Sequence, residues 1–289
     1  MAARNGYEDV VNALLGSEDV TLDIADGNGR TPVWWAARNG YKSVVEILLK
    51  RGDVTPDTAA KDDRTPLLWA ARNGHQGVVK ALLERGDVTL NSADEAGRTP
   101  LSWAAELGDE DIATMLLARE DVTPDTTDEA SRTPLSWAAG ESCARLMKML
   151  LARGDAIPDS ADKHGQTSLL WAAKNGCEGI VKMLLERQDV TPNTTDASGR
   201  ALLSWAAGSG HEGIVKTLLE LQDVAPDSVD KAGRTPLLWA AKSGHEDDAK
   251  IILERGDVTP DTADKHGRRP LSWVAGMGCE GIVKMLLER

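Results

Sequence analysis

The chain has 289 residues, with 33 Lys and Arg against 46 Asp and Glu and a formal net charge of −13, which argues against nucleic-acid phosphates or an anionic membrane as its main partner. No apolar run approaches the ~18 residues of a membrane span, and the opening Met1-Ala2-Ala3-Arg4-Asn5-Gly6 is no apolar signal segment. Three cysteines fit a reducing, intracellular and therefore cytoplasmic setting.

Eight tryptophans, Trp35, Trp69, Trp103, Trp137, Trp171, Trp205, Trp239 and Trp273, stand 34 residues apart, and Trp34 adjoins the first. A fixed period of this length marks one supersecondary unit copied along the chain, each copy burying its apolar face against its neighbours. The expected organisation is one all-α solenoid over 1–289 without a linker. A partial repeat, 1–25, precedes eight repeats starting near 26, 60, 94, 128, 162, 196, 230 and 264, the last ending at 289.

With Asp26 as slot 1, the first element of a repeat starts at Thr-Pro in slots 6 and 7, as in Thr31-Pro32, Thr65-Pro66, Thr99-Pro100, Thr133-Pro134 and Thr235-Pro236. Thr caps a helix N-terminus, and Pro suits the first turn, where its missing amide would be unpaired anyway. A short helix through Leu-x-Trp-Ala-Ala follows and ends at Asn39-Gly40, Asn73-Gly74 or Asn175-Gly176, where glycine supplies the positive φ that closes a helix. Ile180, Val181, Met183, Leu184 and Leu185 then lie on one face of a second helix. A stretch such as Gly256-Asp257-Val258-Thr259-Pro260-Asp261 closes the repeat as a turn-rich, hairpin-like finger.

The motif Asp-Lys-x-Gly-Arg-Thr-Pro-Leu-x-x-Ala-Ala-x-x-Gly-His-x-x-Ile-Val-Lys-x-Leu-Leu-x-x-Gly, recurring across essentially the whole chain, resembles the ankyrin repeat. The resemblance implies a solenoid of stacked helix-turn-helix units with hairpin-like fingers, which binds proteins at the finger tips and at slots 13 and 14. Two features depart from that family. The repeat has one residue more, in the finger, and the histidine after Thr-Pro-Leu is replaced by Ser102, Ser136, Ser204 and Ser272 or by Leu68, Leu170 and Leu238. The near-identical Ser-Trp-Ala-Ala copies also resemble the arrays of fungal intracellular nucleotide-binding receptors of the NACHT type.

Met1 falls in the tryptophan slot, and neither end carries a polar capping repeat. Two expectations follow, a piece of a longer array or end-to-end self-association. Within the array, Thr167-Ser168 and Ala201-Leu202 lose the proline, Asp63 and Ser131 replace the finger glycine, and Gly140-Glu141-Ser142-Cys143 lacks the glycine between helices. The repeat around Glu129 to Gly154 is expected to be the least regular and the local hinge.

Catalytic and metal chemistry finds little support. Cys143, Cys177 and Cys279 share one slot, and packed helices stand ~8–10 Å apart, too far for a disulfide. His211-Glu212 and His245-Glu246 lack the second histidine of a zinc hydrolase helix. No phosphate-binding glycine loop occurs, and neither a catalytic residue, a resident metal nor a cofactor is expected. Asp is constant at slot 28 (Asp19, Asp53, Asp87, Asp121, Asp155, Asp189, Asp223, Asp257) and frequent at slot 1. A cation ladder and hydrogen bonds to the local turn backbone both fit this pattern. Arg at slot 5 in seven repeats is read as a solvated row paired with the finger aspartates.

A helical wheel at ~100° per residue turns the tryptophans away from the core of their own repeat, between slots 13 and 14. Either each indole tucks half-buried beneath its finger, or the row is an open apolar stripe of the kind that marks an interaction site. The expected groove surface comprises Arg4, Asn5, Arg38, Asn39, Arg72, Asn73, Glu106, Leu107, Glu141, Lys174, Asn175 and Lys242 with Trp35, Trp69, Trp103 and Trp137. The function expected is non-enzymatic recognition of a protein or peptide, not of nucleic acid or membrane. A structural spacer or self-associating rod is the alternative.

Overall fold

A computed structural model of the chain describes residues 1–16, 21 and 23–288. Eighteen helices are seen among the described residues, inner and outer helices alternating along the chain. The inner helices are α1 (Ala2–Asn5), α3 (Pro32–Arg38), α5 (Pro66–Arg72), α7 (Pro100–Glu106), α9 (Pro134–Gly140), α11 (Ser168–Lys174), α13 (Leu202–Ser209), α15 (Pro236–Ser243) and α17 (Pro270–Met277). The outer helices are α2 (Glu8–Leu15), α4 (Lys42–Leu49), α6 (Gln76–Leu83), α8 (Glu110–Leu117), α10 (Ala144–Arg153), α12 (Glu178–Leu185), α14 (Glu212–Leu219), α16 (Glu246–Glu254) and α18 (Glu280–Leu287). The chain divides into two compact halves, Met1–Ala156 and Ile157–Arg289. In each half, successive inner helices pack together, as do successive outer helices.

Each inner helix starts where the sequence places it. The hydroxyl oxygens of Thr31, Thr65, Thr99, Thr133 and Thr235 accept the backbone amide three residues on, each at 3.2 Å. Loss of proline leaves the start unchanged, because Thr167 still caps Leu170 at 3.4 Å. Ala201 provides no side-chain cap to α13, and that helix is held by the burial of Leu202, Leu203, Ala206 and Ala207. The paired alanines of α3, α5, α7, α9, α11, α13 and α15 are fully buried, and their small size lets neighbouring helices approach closely. Val44, Val45 and Leu48, with Val78, Val79 and Leu82, present the buried face of the outer helices.

The inter-helix turn needs a left-handed residue. Gly40 has φ +77°, and a Cβ there would also meet the His75 ring at 2.8 Å. Positions lacking glycine keep the left-handed backbone, Ser142 at φ +61° in this turn and Asp63 at +56° and Ser131 at +61° in the fingers. The repeat around Glu129 to Gly154 therefore keeps its two helices, though α10 runs ten residues and closes at left-handed Gly154.

The fingers are joined by polar contacts. In the N-terminal half Lys61 N donates to Asn28 O at 3.0 Å, Glu129 N to Ala96 O at 2.9 Å, and Thr89 N to Asp57 Oδ2 at 3.0 Å. Arg85 and Arg119 donate to the carbonyls of Leu49 (2.7 Å) and Leu83 (3.1 Å), satisfying the C-terminal end of the preceding outer helix. In the C-terminal half Ala197 N donates to His164 O (2.8 Å), Lys231 N to Ser198 O (2.9 Å), and Arg255 to Leu219 O (3.1 Å).

The expected pairing of slot-5 arginines with finger aspartates holds at slot 1, as in Arg30–Asp26 at 3.0 Å, but not at slot 28. Six slot-28 carboxylates pair with an arginine two residues earlier, not with slot 5, whereas Asp223 has Leu221 at that place. Examples are Arg51–Asp53 and Arg85–Asp87 at 2.7 Å and Arg187–Asp189 at 2.6 Å. The Arg85 side chain holds Asp87 below the usual carboxylate range. Slot-1 aspartates close their own turns: Asp94 Oδ1 accepts from Ala96 N and Arg98 N, both at 3.0 Å. Asp19 lies outside the described residues. Among the described residues no group of three or more His, Cys, Asp or Glu is placed to hold a metal ion, and no disulfide joins Cys143, Cys177 or Cys279.

Candidate functional site

Slots 10 and 13 both lie on the inner helices, three residues apart and so on one face. The slot-10 tryptophans are half-buried, apart from the buried Trp69, and they are not an open apolar stripe. Positively charged side chains stand between them. In the N-terminal half Arg38 lies 5.5 Å from the ring centre of Trp35 and 4.7 Å from that of Trp69. Arg72 follows at 4.9 Å from Trp69 and 4.7 Å from Trp103, and Arg98 at 4.5 Å from Trp103 and 5.2 Å from Trp137. Arg4 caps Trp35 at 4.3 Å. In the C-terminal half Lys174 sits between Trp171 and Trp205 (4.5 and 5.0 Å), Arg200 between Trp205 and Trp239 (3.8 and 3.7 Å), and Lys242 between Trp239 and Trp273 (4.7 and 5.6 Å). All lie within the ~6 Å range over which a cation is attracted to an indole face.

The cation comes from either of two slots. Where slot 13 is Arg or Lys, that residue enters the stack. Where it is Glu106 or Gly208, the slot-5 arginine takes the place: Arg98 does so while pairing with Glu106, and Arg200 does so in the space left by Gly208. The slot-5 row is thus only partly a solvated row. Arg132–Asp128 (3.2 Å), Arg234–Asp230 (2.8 Å) and Arg268–Asp264 (2.8 Å) are ion pairs within one finger. Arg200, by contrast, is 8% exposed, and burial lowers its pKa to about 10, against the pull of Asp196. Sequence reasoning missed these arginines as ladder members. Their signal was a substitution pattern, since slot 5 and slot 13 lie eight residues apart with no helical period to link them.

Among the described residues Arg38, Arg72, Lys174 and Lys242 make no ion pair. Desolvation, helped by Arg64 and Arg98, lowers the pKa of Arg72. Desolvation, with Arg234, Arg268 and Arg200, does the same to Lys242. The face is therefore locally cationic in a chain of net charge −13.

The other expected residues are placed differently. Asn39 and Asn73 spend their side-chain amides on the carbonyls of Arg4 and Arg38, both at 2.8 Å, so they fasten neighbouring repeats. His75 Nε2–H donates to the same Arg38 carbonyl at 3.1 Å. Asn5, Leu107, Glu141 and Asn175 are exposed beyond the stack. The indole N–H of Trp171, Trp205 and Trp239 donates to Asp162, Asp196 and Asp230 at 3.1–3.2 Å, whereas those of Trp69, Trp103 and Trp137 are buried without an acceptor.

No helix among the described residues is long and apolar enough to cross a membrane. No curated protein matches the chain. A family model described as Ankyrin repeats (3 copies) matches it over 1–92, 53–128, 120–196, 187–262 and 203–289. Together with the paired helices and fingers seen in every full repeat, this match places the chain in the ankyrin-repeat family, whose members are protein-interaction modules.

Proposed function

We propose that the chain is a non-enzymatic recognition module whose inner-helix face binds an acidic protein or peptide. The observation that carries this reading is the alternation of indoles with cations, of which Arg38, Arg72, Lys174 and Lys242 make no ion pair among the described residues. A guanidinium stacked on an aromatic face keeps its in-plane N–H donors for a carboxylate, and losing little side-chain freedom on binding favours affinity. Arg4, Arg38 and Arg72 would be the basic anchor, with Lys174 and Lys242 extending it. Such a partner is neither nucleic acid nor membrane, and the setting is the cytoplasm.

The reading also takes 1–289 as one continuous array, the sensing part of a receptor like the fungal NACHT type. A second reading, self-association, is favoured by the exposed Tyr7, Val10 and Leu14 on and beside α2. Affinity capture with the native array and with Arg4, Arg38 and Arg72 all changed to Glu separates the two. A partner held through an acidic, crosslink-mapped segment by the native array alone supports recognition. Equal capture by both arrays would move the site off this face, and concentration-dependent size with no other partner would favour the rod.

A further inference from the structure

Trp34 is the one tryptophan outside the 34-residue register. Other repeats have Leu or Ser at that slot, as in Leu68, Ser102 and Leu238. It is 1% exposed, with its ring edge-on to Trp35 (5.0 Å, 81°) and Trp69 (5.5 Å, 73°). Its Nε1–H donates to the Arg64 carbonyl at 2.9 Å, which ties it to the next finger. It forms the floor of a cleft of about 370 Å³ walled by Asn28, Arg30, Arg38, Lys61, Asp62, Arg64 and Trp69.

The charge in this cleft is unbalanced, with four cations, Arg30, Arg38, Lys61 and Arg64, around the single carboxylate of Asp62. Arg30 is answered by Asp26 at 3.0 Å, and Arg64 by Asp62 at 3.6 Å. Arg38 and Lys61 have no carboxylate among the described residues. Arg38 is held 5.5 Å from Trp34 and 4.7 Å from Trp69, and Trp69 Nε1 is a buried donor without an acceptor, a costly state in a folded protein. The volume lies at the lower end of the ~300–1,000 Å³ typical of ligand pockets, enough for one or two side chains.

We infer that this cleft is the seat for one acidic side chain of the partner. Its carboxylate meets Arg38 and Lys61, and its methylenes lie on Trp34 and Trp69. The inference rests on the proposed recognition of acidic partners and assigns its anchor to the repeat beginning at Asp26. A cleft made by one irregular residue sets the register of a ligand along an otherwise repetitive face, which the ladder alone cannot do.

The test is fluorescence anisotropy with a labelled oligoglutamate peptide and a matching oligolysine peptide, at low and physiological salt. The native chain is expected to bind oligoglutamate only, more weakly as salt rises. Arg38→Gln should weaken binding about tenfold or more, as expected for loss of a charge-assisted hydrogen bond. Trp34→Leu, which installs the residue of sister repeats and so keeps the fold, should weaken it severalfold with a cooperative circular-dichroism melt. Lys182→Gln, on the opposite row, should leave it unchanged. Equal binding by native and Trp34→Leu chains would overturn the cleft. If Arg72→Gln and Lys242→Gln then weakened binding, the broader face reading would survive. Absence of oligoglutamate binding by the native chain, or equal binding of oligolysine, would also overturn the inference, and the capture experiment above would judge the face independently.

Discussion

The guanidinium carbon of Arg200 lies 3.7 Å from the ring centre of Trp239 and 3.8 Å from that of Trp205. Two indoles of adjacent repeats thus grip one arginine that belongs to the finger. Gly208 leaves this position open, since a Cβ there would meet Arg200 Nη2. Within each half, one cation fills each gap between successive slot-10 tryptophans, supplied from slot 13 or from slot 5.

This exchange is testable as a swap. Arg200→Ala should destabilise the chain by about 1–2 kcal/mol, through lost stacking and buried methylenes. Gly208→Lys alone should also destabilise, because two cations then compete for one gap. The double change should recover at least half of the loss from Arg200→Ala, since it recreates the arrangement of Lys174 and Lys242. Denaturant titration of the four proteins gives the coupling. Simple additivity would show that the two slots do not substitute for each other.

Helix α13 offers a gain. It begins at Ala201 with no side-chain cap, whereas sister residues Thr167 and Thr235 accept an amide at 3.4 and 3.2 Å. Ala201→Thr should therefore add about 0.5–1.5 kcal/mol, read as an increase in the denaturation midpoint at constant slope. An unchanged midpoint would mean that burial of Leu202 and Leu203 already fixes the helix start.

How much of this was legible follows from which forces are periodic. The Thr31 and Thr65 caps, the left-handed glycine at Gly40 and the Val44–Val45–Leu48 face each depend on residues within one repeat, so spacing alone placed them. The ladder depends on contacts between repeats, and there the linear pattern misleads. Arg98 and Glu106 look like unrelated charges until the Trp103–Trp137 gap brings them together. Asn39 and Asn73 vary in step with Arg4, Arg38 and Arg72, which suggested a common binding role. Their amides in fact close hydrogen bonds to the preceding repeat, a use that composition cannot signal.

The non-glycine residues in left-handed conformations store strain. Asp63, Ser131 and Ser142, at φ between +56° and +61°, occupy positions where sister repeats have glycine. Replacing any one by glycine should stabilise the chain by about 0.5–1 kcal/mol, the relief of the left-handed penalty less the added freedom of the unfolded chain. Ser142→Gly is the cleanest case, since the residue is exposed. A fall in thermal midpoint on that change would mean that the serine side chain has a role at the turn.

Asp248 sets the pH dependence. It occupies the outer-helix slot filled elsewhere by Val44, Val78, Ile112, Leu146, Ile180, Ile214 and Ile282. It is 2% exposed, and neither carboxylate oxygen has a hydrogen-bond partner. Glu212 on α14 and His245, Glu246 and Asp247 beside it line the adjoining cleft. Desolvation, reinforced by the charges of Glu212 and Asp247, raises its pKa from 3.8 to about 7. The native state thus holds a proton that the unfolded state releases, and stability falls as pH rises from about 4 to about 7, then levels off. At 1.36 kcal/mol per pH unit, reduced for partial hydration, the loss is roughly 2–4 kcal/mol. Asp248→Ile should remove that slope, so its advantage over the native chain should widen between pH 5 and pH 8 in paired denaturant titrations. A gap of constant size would show that Asp248 keeps an ordinary pKa, with water reaching its carboxylate through the cleft.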